Sequence, residues 1–285
     1  MNKNVTDIRK EGLDKFYTNI NIVNLCINYL ENLYKWDYWD LVIEPSAGSG
    51  NFLNNIPFNN KIGIDIEPEN TNIIKENYLN YNINTQYLDK KILVIGNPPF
   101  GKQSSLAIKF FNKSANFSTC IAFIIPRTFR KISIQNKLNL NFHLILDQEL
   151  PLKPCCFTPP MNVKCCFQVW IKKDYKRKII KLNISHPDWD FLKLGPKDNN
   201  NQPTPPNNAD FAIKAYGGKC GKIKLENLQE LRPKSWHWIK SNIDKNLLIK
   251  RFNNINYSNS TNTARQNSIG KGELVSLYEQ LHIDT

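Results

Sequence analysis

No stretch of this 285-residue chain approaches the ~18 consecutive apolar residues of a membrane-crossing helix, so no helical span is expected. The opening segment, MNKNVTDIRKEG, is polar and lacks the apolar centre of a secretion signal, so export is not expected either. Acid is scarce: 25 Asp and Glu stand against 38 Lys and Arg, a formal net charge of +13. A surplus of that size favours a polyanionic partner, of which nucleic acid is the commonest; charge kept for solubility is the plainer alternative. The seven cysteines are an odd number without the spacings of a secreted disulfide framework. A reducing compartment, cytoplasm or nucleus, fits them. His143, His186, His237 and His282 are scattered, with no nucleophile-and-base pattern around them. What is present excludes wholesale disorder: hydrophobic residues make up 41% of the chain and charged residues 22%. The length suits one large α/β domain, or a domain of about 180 residues with a smaller one.

Short apolar runs mark buried strands: residues 40–44 (DLVIE), 61–66 (KIGIDI), 91–96 (KILVIG), 119–126 (TCIAFIIP), 142–146 (FHLIL) and a longer one within 161–173. Residues 20–33 and 102–115 carry helical spacing. Strands alternating with helices predict a doubly wound, mostly parallel sheet. The pattern changes at residues 195–208 (GPKDNNNQPTPPNN), read as a loop or linker, and the boundary is expected between 175 and 208. Beyond it lie Gly217-Gly218, the pair Trp236 and Trp238, and helix-like segments at 244–253 and 271–281, the latter with Ser268 as its expected cap.

After the first strand comes Glu44-Pro45-Ser46-Ala47-Gly48-Ser49-Gly50-Asn51-Phe52. A glycine-rich turn between strand and helix lets backbone approach a ligand closely. The dinucleotide fingerprint is not met, because Leu53 stands where its third glycine would be. Asp65 closes the second strand at about the 20-residue distance from which an acid reaches a ribose diol. An S-adenosylmethionine site suits the pattern better, with Glu44 near the methionine ammonium. The third clear strand ends in Asn97-Pro98-Pro99-Phe100. The prolines stiffen the loop and leave carbonyls free to accept. An exocyclic amine could donate to the Asn97 amide oxygen and the Pro98 carbonyl while its base stacks on Phe100.

These three segments resemble, in order, the main signatures of the S-adenosylmethionine-dependent amino-methyltransferases of the N6-adenine type. The resemblance covers residues 14 to about 173. It implies a Rossmann-like class I methyltransferase fold, a seven-stranded sheet with helices on both faces, followed by a small C-terminal module. It implies that Asn97, Pro98, Pro99 and Phe100 are catalytic. Cofactor would be held by Glu44, Pro45, Ser46, Ala47, Gly48, Gly50, Asp65, Ile66 and Asn97. Asp14-Lys15-Phe16-Tyr17-Thr18 resembles the segment that closes over the cofactor's methionine end, so Phe16, Tyr17 and Thr18 join that set. Asn77 and Tyr78 stand where the family commonly has an acid and an aromatic residue facing the cofactor adenine.

Phe157 lies in the loop whose aromatic residue, in the resembling enzymes, stacks on a flipped target base. Arg127, Arg130 and Lys131 follow a strand at its C-terminal end and are expected to contact phosphate. Cys155, Cys156, Cys165 and Cys166 lack the C-x2-C spacing of zinc sites, so no metal is expected. The expectation is a methyltransferase domain over 1–180 and an accessory or target-recognition module over 181–285. Its substrate is the N6 amine of adenine in DNA or RNA, DNA first. An RNA enzyme acting beside an mRNA cap, a non-catalytic nucleic-acid-binding subunit, and an enzyme of protein glutamine are the alternatives.

Overall fold

The computed structural model describes residues 15–87 and 89–281. Asp14 and His282 therefore lie outside the described residues. The chain forms two compact units, divided between Ile179 and Ile180.

The first unit is built on seven strands: β2 (Leu41–Pro45), β3 (Lys61–Asp65), β4 (Ile73–Lys75), β5 (Ile92–Gly96), β6 (Cys120–Pro126), β7 (Phe142–Glu149) and β9 (Cys165–Lys172). They lie in the order β4-β3-β2-β5-β6-β9-β7. Strands β4 through β6 in that row pair in parallel, and β9 runs antiparallel to both of its neighbours. This is the mostly parallel sheet that the alternation of strands and helices predicts, with the seven strands of the class I fold that the resemblance implies. The short strands β1 (Tyr17–Thr18) and β8 (Phe157–Thr158) form a separate two-stranded ribbon.

The central strands are continuous apolar runs because both of their faces are covered. Leu41, Ile43, Ile92, Val94, Ile121 and Phe123 share one core with Ala107, Phe110 and Phe111 of helix α3 (Ser105–Ser114). The alternate residues Val42, Leu93, Ile95, Ala122 and Ile124 are equally buried. Helix α1 (Ile20–Glu31) buries Val23, Cys26 and Leu30, and the short α2 (Asn51–Asn55) buries Phe52 and Leu53. A further short helix, α4 (Ile132–Gln135), leads into β7. Gly63 in β3 lets α2 approach: a Cβ there would sit 2.9 Å from Leu53 and 3.2 Å from both Ala47 and Ile73.

The second unit is a four-stranded antiparallel sheet that the sequence pattern did not reveal. Strands β10 (Trp189–Phe191), β11 (Phe211–Lys214), β12 (Ile223–Lys224) and β13 (Trp236–Ser241) lie in the order β10-β13-β11-β12. Trp189, Phe211, Ile213 and Ile239 pack with Leu248 and Phe252 of helix α5 (Lys245–Asn253) and Leu274, Val275 and Tyr278 of α6 (Lys271–Gln280). Asp244 caps α5 by accepting from the Leu247 N–H at 2.8 Å. The cap of α6 is not Ser268 but Gly270, whose N–H donates to Glu273 Oε2 at 2.7 Å. The stretch 195–208 is irregular yet tied down: the Gly195 N–H donates to the Thr204 carbonyl at 2.8 Å, and that of Asp198 to Gln202 at 2.8 Å.

Filling the Gly63 gap tests the fold directly. Gly63→Val should lower stability by about 1–3 kcal/mol, the scale of overpacking, read as a lower urea midpoint with an unchanged slope.

Candidate active site

Strands β2 and β5 are neighbours, and the chain runs to opposite sides of the sheet from them. Ligands of open α/β sheets bind at such a switch point, beyond the carboxyl ends of the strands. Both expected signatures emerge there: residues 46–50 follow β2 and residues 97–100 follow β5.

The glycine turn is tightly wound, with φ of +57° at Ser46, +54° at Gly48 and +78° at Gly50. A Cβ on Gly48 would lie 3.0 Å from the Tyr17 ring, so only glycine leaves this cradle open. Asp65 braces the turn: Oδ2 accepts from the Gly48 N–H at 2.8 Å and Oδ1 from the Glu67 N–H at 2.8 Å. Each oxygen keeps lone-pair capacity for a further donor. Ile66, next in the chain, leaves its side chain 46% exposed. Pro45 and Ala47 are buried beneath the turn.

Glu44 departs from its expected role beside an ammonium group. Its carboxyl is buried and points at the start of α2, where Oε2 accepts from the Leu53 N–H at 2.7 Å. It serves the helix as an internal N-terminal cap. Burial raises its pKa to about 8, against the lowering effect of the Leu53 and Phe52 amides.

The residues before the turn form a strap over it. The Tyr17 hydroxyl donates to Glu69, and the Lys15 ammonium meets Glu67 at 2.5 Å. Tyr17 and Thr18 pair in register with Thr158 and Phe157. Asn19 extends the pairing, its N–H donating to the Cys156 carbonyl at 2.9 Å and its Nδ2 to that of Cys155 at 2.7 Å. Two segments some 140 residues apart thus form one hydrogen-bonded ribbon beside the site. The sequence placed each segment near the site but gave no sign that they pair.

Asn97 lies under this ribbon. Its Nδ2 donates to the Phe16 carbonyl at 3.4 Å, which directs Oδ1 the other way. That oxygen is buried and has no hydrogen-bond partner. Thr18 Oγ1 is likewise buried and unpartnered. Such atoms are costly unless something donates to them. Pro98 is buried, while Pro99 and Phe100 are half-buried. The Phe100 carbonyl accepts from Leu106 and Ala107 at 3.2 and 3.3 Å, anchoring the loop to α3.

Several expected site residues do other work. Phe157 is 1% exposed and meets Phe100 edge-on, with centroids 6.2 Å apart and planes at 78°. It forms a wall, and only Phe100 has surface left to offer a base. Tyr78 is 2% exposed in the core, stacked on Phe110 with its hydroxyl 2.7 Å from Ser114 Oγ. Asn77 is exposed and spends its side-chain oxygen on the Leu79 N–H at 3.0 Å, a local turn. Arg130 holds Asp147 with Nε at 2.9 Å and Glu149 with Nη1 at 2.7 Å, and Arg127 meets Glu149 at 2.9 Å. Asp147 also accepts from buried Gln168 at 2.9 Å. These arginines tie the turn after β6 to β7 through its acids. The Asp147 contact holds the Arg130 guanidinium more firmly charged than usual. The half-buried Lys131 starts α4, its carbonyl accepting from Ile134 and Gln135. Among the described residues, no group of three or more His, Cys, Asp and Glu side chains is arranged to hold a metal ion, and no helix is long and apolar enough to cross a membrane.

Two consequences are measurable. The raised pKa of Glu44 means the folded state holds its proton more tightly than the unfolded chain. Its contribution to stability is present at acid pH and is lost as pH rises from about 4.5 to about 8. Glu44→Gln keeps an acceptor for Leu53 and should flatten that decline in urea midpoints measured across the range. Arg130→Ala leaves Asp147 and Glu149 short of a partner and should destabilise by about 2–4 kcal/mol, seen as a lower thermal midpoint.

No family model matches the chain, and no curated protein matches it. Among solved structures, a candidate RNA methyltransferase from Pyrococcus horikoshii is 16% identical, aligned over 56% of this chain and 87% of its own, with a TM-score of 0.43. The 23S rRNA methyltransferase ErmE is 10% identical over 57% of this chain and 71% of its own, with a TM-score of 0.41. A type I restriction-modification methyltransferase subunit from Streptococcus thermophilus is 15% identical over 56% of this chain and 45% of its own, with a TM-score of 0.40.

Proposed function

We propose that the first unit transfers a methyl group from S-adenosylmethionine to the exocyclic N6 amine of adenine in nucleic acid, DNA before RNA. One observation carries this reading. Asn97 Oδ1 is a buried acceptor without a donor, set in a proline-stiffened loop at the sheet's switch point. It suits a ligand group that brings N–H into a dry pocket.

The residues present fit the cofactor. Gly48 keeps open a cradle that a Cβ would fill, Asp65 retains acceptor capacity for a ribose diol, and Thr18 Oγ1 is a second unpartnered polar atom. S-adenosylmethionine, when bound, would supply an electrophilic methyl on a sulfonium sulfur. Ile66 would offer it an apolar surface, and the strap of Phe16, Tyr17 and Thr18 would close its other end.

The chain's own part is positioning. Asn97 Oδ1 accepts one amine hydrogen and the Pro98 carbonyl the other, which turns the nitrogen lone pair toward the methyl group. Phe100 holds the base by its face. The methyl group would leave its sulfur with the bonding pair staying on sulfur, and the amine proton would pass to water. No strong base is needed. We further propose that the second unit contributes to target recognition.

Labelled methyl transfer to matched DNA and RNA pools, followed by nucleoside digestion, tests the reading. N6-methyladenine is the expected product; N2-methylguanine, or methyl appearing only on protein glutamine, would overturn it. Asn97→Ala should leave cofactor affinity by calorimetry nearly intact. It should slow transfer by about 100- to 1000-fold, the scale of one lost preorganised hydrogen bond.

A further inference from the structure

The hairpin joining β11 to β12 carries four lysines and no acid between residues 214 and 224. Its backbone is pinned on both sides. The N–H groups of Ala215 and Tyr216 donate to the Ser235 carbonyl at 2.9 and 3.2 Å, and that of Gly217 donates to Asn267 at 2.9 Å. The Gly221 N–H returns to the Lys214 carbonyl at 2.8 Å. On this frame Tyr216 is 48% exposed, and Lys219 and Lys222 of the same hairpin are exposed as well. Lys214 and Trp236 are cross-strand partners on one sheet face, with the ammonium 4.6 Å from the indole centroid. Lys224, opposite Ala212, lies on that same face.

The glycines of this hairpin differ in what they do for the fold. Gly221 has φ of +88° and lies against the Tyr257 ring, so the fold itself requires it. Gly218 has no positive φ, and a Cβ there would meet nothing within 4 Å. Gly217 has φ of +95°, which itself favours glycine, though a Cβ there would meet only Lys214 Cε at 4.0 Å. The packing of the chain gives no reason for bare backbone at Gly218, whereas a ligand passing close over the hairpin would. An exposed aromatic ring on fixed backbone, bare backbone beside it and unopposed lysines around it are the elements of single-strand recognition: a π-face for a base, close approach, and charge for phosphates.

We propose that this hairpin is a binding surface for single-stranded nucleic acid. One base stacks on Tyr216, phosphates sit on Lys219 and Lys222, and the strand runs over Gly217-Gly218. The proposal shares with the methyl-transfer reading only the class of substrate, and binding can be measured without turnover.

Fluorescence anisotropy of the full chain with labelled 12-mers of single-stranded RNA, single-stranded DNA and duplex DNA, over a range of salt, tests it. Both single strands should bind more tightly than the duplex, and the better of the two identifies the sugar. Tyr216→Ala should weaken the single strand about 5- to 100-fold with an unchanged thermal midpoint. Lys219→Gln with Lys222→Gln should lower the log–log salt slope by about 1.4. Gly218→Val should weaken binding while leaving the midpoint in place. Wild-type affinity and slope in the tyrosine and lysine variants would overturn the proposal. So would preference for the duplex, equal binding of a polyglutamate peptide, or no binding of nucleic acid at all. A wild-type chain that binds the strand but methylates no nucleic acid would refute the catalytic reading and leave this one standing.

Discussion

The Phe16 carbonyl decides which end of the Asn97 amide faces inward. An amide is nearly symmetric in shape, and its two ends differ only in what they donate or accept. With Nδ2 drawn to Phe16, the oxygen is left as a buried acceptor, an arrangement that costs about 1–3 kcal/mol until a donor arrives. That orientation depends on where the strap lies. The strap in turn depends on pairing with residues 157–158 and on the contacts of Lys15 and Tyr17 with Glu67 and Glu69. The orientation of the Asn97 amide is therefore tied to a strand of two residues lying outside the main sheet.

The acids of the first unit follow a common logic. Glu44 caps a helix of five residues that could not hold its own end, and Asp65 caps a turn whose amides point outward. Asp147 and Glu149 neutralise two arginines between strands. These four acids hold irregular backbone and strand edges in place. The carboxylates nearest the candidate site act on the shape of the pocket through the backbone. This suits a reaction in which alignment, and not proton abstraction, limits the rate.

The main sheet was legible in the sequence because strands covered on both faces must be unbroken apolar runs, and 41–43, 92–96 and 120–126 are. The glycine turn and the Asn97 loop were legible because tight turns leave glycine and proline behind. Strand β4 was not, since only Ile73 of its three residues is buried. The β1–β8 ribbon was not, because two residues a side carry no period. Arg127 and Arg130 read as surface cations because their partners lie on another strand. The alternation of Asp147 and Glu149 along β7, which puts both carboxylates on one face, was the signal available. Tyr78 shows the reverse error. Its place in a motif suggested ligand contact, whereas a ring stacked on Phe110 with its hydroxyl on Ser114 is core.

The partition of basic residues carries the last step. Arg127, Arg130, Arg177 and Arg251 are each committed inside the fold, to carboxylates, to the carbonyls of Phe142 and Gln135, or to Asp188. The excess of charge is thus carried on the surface chiefly by lysine. A lysine ammonium is a compact, hydrated point charge that attracts phosphate without reading a base, whereas the arginine fork is suited to bidentate base contacts. A surface of this kind gathers a polyanion and holds it in salt-dependent fashion. Under the proposed function, discrimination would fall to the groups placed to meet the base: the Asn97 amide oxygen, the Pro98 carbonyl and the Phe100 face, which together would distinguish an exocyclic amine on a flat ring from a carbonyl in its place.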